Sequence, residues 1–93
     1  MIRIVVTPTF ERAVKKLQRQ QKFALDEAVR TVANQPDAGE TKVGDLAGVQ
    51  VCKFRMGNLL CLLVYRVLDE STLKLLMVGP HENFYRDLKR TDH

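Results

Sequence analysis

Residues 49–67 read VQVCKFRMGNLLCLLVYRV, two apolar-rich runs on either side of Gly57-Asn58. Gly-Asn tolerates the positive backbone φ of a two-residue turn, so the stretch predicts a β-hairpin with strands Val49–Met56 and Leu59–Val67. Setting Met56 opposite Leu59 pairs Arg55 with Leu60, Phe54 with Cys61, Lys53 with Leu62, Cys52 with Leu63 and Val51 with Val64. Because strand side chains alternate, one face then carries Cys52, Phe54, Cys61, Leu63 and Tyr65, all suited to a core. The other carries Lys53, Arg55, Leu62 and Arg66 and reads as a basic face.

Working outward, Asp69-Glu70-Ser71 predicts a second turn, Thr72–Gly79 a last strand and Asn83–Arg90 a short terminal helix. On the other side, Gln35–Gly48 holds Pro36, Gly39, Gly44 and Gly48 with little apolar content, a loop long enough to be functional or mobile. Leu25, Ala28, Val29 and Val32 before it keep helical spacing until Pro36 stops them. The polar joint Gln20-Gln21-Lys22 separates that helix from an earlier one starting at Pro8, where Thr7 caps and the missing proline donor costs nothing. Phe10, Val14 and Leu17 form the inward stripe of this first helix, and Arg12, Lys15, Lys16 and Arg19 point away. Ile2, Ile4 and Val6 alternate as a short first strand. The order is β-α-α-β-β-β-α, with the two helices as an antiparallel hairpin.

At 93 residues, 45% hydrophobic and 28% charged, the chain is sized for one domain spanning residues 1–93 and is too apolar for disorder. The longest apolar run, Leu59 to Tyr65, is about seven residues against roughly twenty for a bilayer span. With no export signal at the N-terminus, a cytoplasmic protein is expected. Cys52 and Cys61 lack CxxC spacing and lie diagonally in the proposed hairpin. They read as buried thiols without a disulfide, zinc or an iron–sulfur cluster. The formal charge is +4, and residues 1–30 supply all of the excess, with seven basic and three acidic side chains. The ridge from Arg12 to Lys22 suits phosphate or an acidic protein, or is a solvated face.

His81 follows Gly79-Pro80, a pair that ends strand pairing and sets the next side chains at a sheet rim. Tyr85, four residues on, shares one face of a helical turn with it. An imidazole and a phenol beside cations can serve phosphodiester cleavage through an internal 2′-hydroxyl. One group accepts the hydroxyl proton, one protonates the leaving 5′-oxygen, and Lys53 and Arg55 hold the phosphorane charge. The bland alternatives are a capping or surface histidine, a packing tyrosine and edge-protecting charges.

The chain also resembles the RelE/ParE superfamily of bacterial type II toxin–antitoxin toxins over about residues 2–90. The resemblance rests on Thr7-Pro8-Thr9-Phe10-Glu11-Arg12, Lys42-Val43-Gly44-Asp45-Leu46-Ala47-Gly48, Leu63-Val64-Tyr65-Arg66-Val67 and Val78 through Leu88. It implies an α+β fold, a small twisted antiparallel sheet with the N-terminal helical hairpin on one side and a short C-terminal helix. RelE-like members cleave mRNA in the ribosomal A site without metal or cofactor, whereas ParE-like members poison DNA gyrase. His81 with an aromatic four residues later resembles the YafQ-type ribonucleases, and Lys53 matches a basic residue of the RelE cleavage face. Leu62 and Val51 depart from that pattern, standing where RelE has an arginine and a lysine. The catalytic set implied is His81, Tyr85, Arg55 and Lys53, with Lys42, Arg66, Lys15, Lys16 and Arg19 toward RNA. Implied partners are an acidic, partly disordered cognate antitoxin and the ribosome with its mRNA. Alternatives are a gyrase poison and an inert domain that only pairs with its antitoxin.

Overall fold

A computed structural model describes residues 2–36, 40–41 and 48–81. The elements are β1 (Arg3–Val6), α1 (Pro8–Lys15), α2 (Arg19–Asn34), β2 (Glu40–Thr41), β3 (Gln50–Met56), β4 (Leu59–Asp69) and β5 (Thr72–Pro80). The five strands form one sheet in the order β1-β5-β4-β3-β2. The β3–β4 hairpin keeps the register expected from its turn, from Met56 opposite Leu59 to Val51 opposite Val64.

The α+β class holds, with one correction to the sheet. Strands β2 to β5 are antiparallel to their neighbours, but β1 runs parallel to β5, with Arg3 opposite Thr72 and Val6 opposite Leu75. The chain leaves β1 through two helices instead of a tight turn, so nothing obliges it to reverse within the sheet. The expected long loop also contributes the two-residue β2, paired to Gln50 and Val51. The terminal helix expected at Asn83–Arg90 lies outside the described residues, as do Lys42 and Tyr85.

Thr7 starts α1 as expected. Its hydroxyl accepts from the Phe10 N–H at 3.1 Å and donates to the Leu76 carbonyl at 2.6 Å, which ties the helix entry to β5. Gln20-Gln21-Lys22 is not a joint but the first turn of α2, because the Gln18 N–H donates back to Gln21 Oε1 at 2.9 Å and starts the helix earlier. The break falls at Lys16–Gln18 instead, so Arg19 belongs to α2.

The helices bring Phe10, Leu25, Ala28 and Val32 onto Cys61, Leu63, Tyr65, Leu73 and Leu75 of the sheet. A fully buried leucine such as Leu63 contributes about 1.5–3 kcal/mol by leaving water. Tyr65 is also fully buried; its hydroxyl donates to the Pro36 carbonyl at 2.7 Å and lies 3.1 Å from the Gln50 side-chain amide. That contact fixes the end of α2 to the sheet. The opposite face is not simply the basic face that Lys53, Arg55 and Arg66 around Leu62 predicted. Val49, Val51, Leu62, Val64 and Leu76 form a second buried cluster there. The reason is legible afterwards: from Leu59 to Tyr65 both alternating sets are apolar, the pattern of a strand covered on both sides.

Candidate active site

Three of the expected residues come together at the hairpin end of the face opposite the helices. Lys53 and Arg55 share a side of β3 and are both exposed. Arg55 reaches over the turn, its guanidinium donating to the Asn58 carbonyl at 3.4 Å, and Gly57 closes that turn at φ +62°. From β5, the His81 N–H donates to the Leu60 carbonyl at 3.1 Å. This extends the pairing of Leu62 with Gly79 and Cys61 with Pro80 by one residue.

Two rows therefore cross the sheet. Arg55, Leu60 and His81 form one, and Lys53, Leu62 and Gly79 the next. Two strand spacings place the Arg55 and His81 backbones about 10 Å apart, a span suited to a phosphate held between long side chains. Gly79 keeps the row beside His81 low. A bulge between Val64 and Tyr65 sets this phase, because an extra β5 residue there returns Val78 to the helical side and leaves Gly79 and His81 on the other.

The remaining candidates divide. Lys16 lines a cleft of about 220 Å³ with Gln21, Leu59, Gly79 and Pro80, so it reaches the His81 rim from the helix side. Lys15 lies elsewhere, on a groove with Val6, Phe10 and Val14. Arg66 is four residues along β4 from Leu62, about 13 Å away, opposite Lys74. Its guanidinium lies over Gly48, where a Cβ would stand 2.7 Å from Nη1, and Gly48 has φ +83°. Sequence reasoning missed both Gly48 and Lys74 as parts of this second cationic spot; the Arg66–Lys74 pairing depends on a bulge no local pattern announces. Leu62 and Val51, at 0% and 1% exposure, are core residues. A cation at either position would have to enter an apolar cluster, so the chemistry available on this face is displaced to its rim.

Both thiols are free, and burial pushes each above the usual cysteine range; for Cys61 a backbone hydrogen bond from Met56 opposes the rise. Cys52 faces Leu63 and Cys61 faces Phe54, the diagonal placement expected. Among the described residues no three His, Cys, Asp or Glu side chains gather as a metal site, and no helix is long and apolar enough to cross a membrane.

The fold is shared with solved toxins. The intact Escherichia coli RelBE toxin–antitoxin complex matches with TM-score 0.72 and 20% identity over 89% of this chain and 100% of that one. The Mycobacterium tuberculosis RelBE2 complex matches with TM-score 0.67 and 26% identity over 86% and 98%. YafQ from E. coli strain BL21(DE3) matches with TM-score 0.63 and 15% identity over 87% and 94%. No curated protein matches the sequence. Residues 4–89 fit the family described as ParE-like toxin of type II bacterial toxin–antitoxin system, and with nearly the whole chain covered, this protein belongs to that family.

Proposed function

We propose that this toxin is a metal-independent mRNA endoribonuclease acting on the translating ribosome and silenced by a cognate antitoxin. The observation that carries the reading is the convergence of His81, Arg55 and Lys53 on one exposed rim. His81 exchanges a proton with the attacking 2′-hydroxyl or the leaving 5′-oxygen, while the two cations hold the charge that builds on the phosphorane. Arg55 offers a planar fork to two phosphate oxygens, and Lys53 a compact point charge. Tyr85 is the proposed second proton-transfer group, and Lys16, Arg19, Lys42 and Arg66 extend the contact with RNA. The solved RelBE structures are complexes with antitoxins, which supports an antitoxin as partner here.

Gyrase poisoning is the second reading, favoured by the burial of Leu62 and Val51 where RelE-like cleavage faces carry charges. Single-turnover cleavage of A-site mRNA, run beside a gyrase supercoiling assay, separates the two. His81→Ala should lower the chemical step by about 10²–10⁴-fold while leaving the fold intact, because the side chain is exposed. An unimpaired His81→Ala enzyme, or wild-type protein active only on gyrase, overturns the ribonuclease reading.

A further inference from the structure

The sheet ends in two dissimilar edges. Among the described residues, β2 pairs strand β3 at Gln50 and Val51, and Cys52 to Met56 lie beyond that pairing. An antiparallel copy of that stretch centred on Phe54 would set Lys53 against Arg55, and like charges directly opposed are unfavourable. The β1 edge has no such defence. Ile4 and Val5 are 42% and 38% exposed on it, and Val67 and Leu68, at 39% and 52%, extend the apolar surface at the same end of the sheet.

The hydrogen bonds of β1 fix which of its groups face outward. The Arg3 N–H donates to the Ser71 carbonyl and the Thr7 N–H to the Leu75 carbonyl, so odd-numbered residues face β5 and the backbone groups of Ile4 and Val6 face away from it. We infer that the β1 edge is a self-association surface, on which two copies pair antiparallel about Val5 to form one continuous ten-stranded sheet.

The register follows by elimination, since outward residues must pair with outward residues. Pairing about Val6 would set Ile4 against Pro8, which has no N–H to give. Pairing about Ile4 would put the Arg3 side chain against the exposed Val5. Pairing about Val5 sets Ile4 against Val6 twice, makes four backbone hydrogen bonds, opposes Arg3 to Thr7 and brings no like charges together. The twofold axis stands perpendicular to the sheet, so both copies keep their helices on one side and their His81 rims on the other. A four-residue edge is a small interface, and the dimer therefore dissociates on dilution.

Sedimentation over a range of protein concentrations, with cysteine cross-linking, tests this. At the twofold axis Val5 would occupy a non-hydrogen-bonded pair, with Cα atoms about 4.5 Å apart, inside disulfide reach. In a chain with Cys52 replaced by Ala, Val5→Cys should give a disulfide-linked dimer under mild oxidation, and Ile4→Cys should not. Wild type should shift from monomer to dimer with rising concentration, and Val5→Asp should remain monomeric with unchanged circular dichroism. A wild type that stays monomeric throughout, Ile4→Cys linking as readily as Val5→Cys, or a dimer that survives Val5→Asp overturns the proposal. None of these outcomes depends on which macromolecule the toxin attacks.

Discussion

The two faces of the sheet are built from the same strands yet closed differently. On the helical face, α1 and α2 supply large apolar side chains to a broad core, and Tyr65 anchors the end of α2. On the opposite face the buried set among the described residues is Val49, Val51, Leu62, Val64 and Leu76, and cations appear at the hairpin end and at Arg66 and Lys74. Burial in the middle of that face confines charged, exposed side chains to its margins, which is where an anionic chain can reach them. The helical face holds the larger core, and the margins of the other face carry the exposed cations.

Forcing charge into the smaller cluster is the strongest way to break this contrast. Leu62→Arg places an unpaired guanidinium at a fully buried position. The expected cost exceeds about 4 kcal/mol, and urea denaturation should show the variant largely unfolded. A well-folded Leu62→Arg protein with raised cleavage activity would mean that this face opens.

Tyr65→Phe probes the other side more gently. Losing the hydroxyl leaves the Pro36 carbonyl without this donor, for a loss of about 1–3 kcal/mol in chemical denaturation. Cleavage by the folded variant should be unchanged, since α2 and the His81 rim lie on opposite faces.

At the margin the effects move from stability to binding. Lys53→Ala and Arg55→Ala should each leave the melting temperature within a degree or two and weaken RNA binding. Each should also reduce the slope of log affinity against log salt by about 0.7, the single-strand value per phosphate contact. A salt slope that stays at the wild-type value in both variants would remove these side chains from the interface.

The smallest effect lies at the far turn. The Asp69 carboxylate accepts the Ser71 N–H at 2.8 Å and the Ser71 hydroxyl at 3.2 Å, and the backbone bond is the main reason its pKa falls below the usual carboxylate range. A folded pKa below the unfolded one means that the stabilisation is present above the unfolded value and lost as pH falls through the folded one. Asp69→Ala should therefore lower the melting temperature slightly at neutral pH and not at all in strong acid. An equal loss at both pH values would assign the effect to something other than the carboxylate's charge.

The hairpin was legible from residues 49–67 because a Gly-Asn turn of fixed length sets register, and register sets which side chains share a face. Thr7-Pro8 announced α1 for an equally local reason, a cap and a compatible first residue. Lys53 and Arg55 came from the same local rules, but the expectation that Gly79-Pro80 ends strand pairing is corrected: β5 runs through Pro80 and the His81 N–H still bonds the Leu60 carbonyl, because Pro80 falls where its missing N–H would face away from β4. The first turn of α2 was obscured by its glutamines, whose composition resembles a loop and whose side-chain cap is visible only in three dimensions.

What the sequence by itself determined is therefore β1, the existence of the two helices, the β3–β4 hairpin with its register and the last strand, because these depend on neighbours a few positions apart. Tertiary structure alone decided that β1 lies parallel to β5, that Leu62 and Val51 are core, that Arg66 stands opposite Lys74, and that its guanidinium lies over Gly48. Each of these joins segments distant in the chain, where the outcome turns on which surfaces exclude water together and on a bulge that shifts one strand against another.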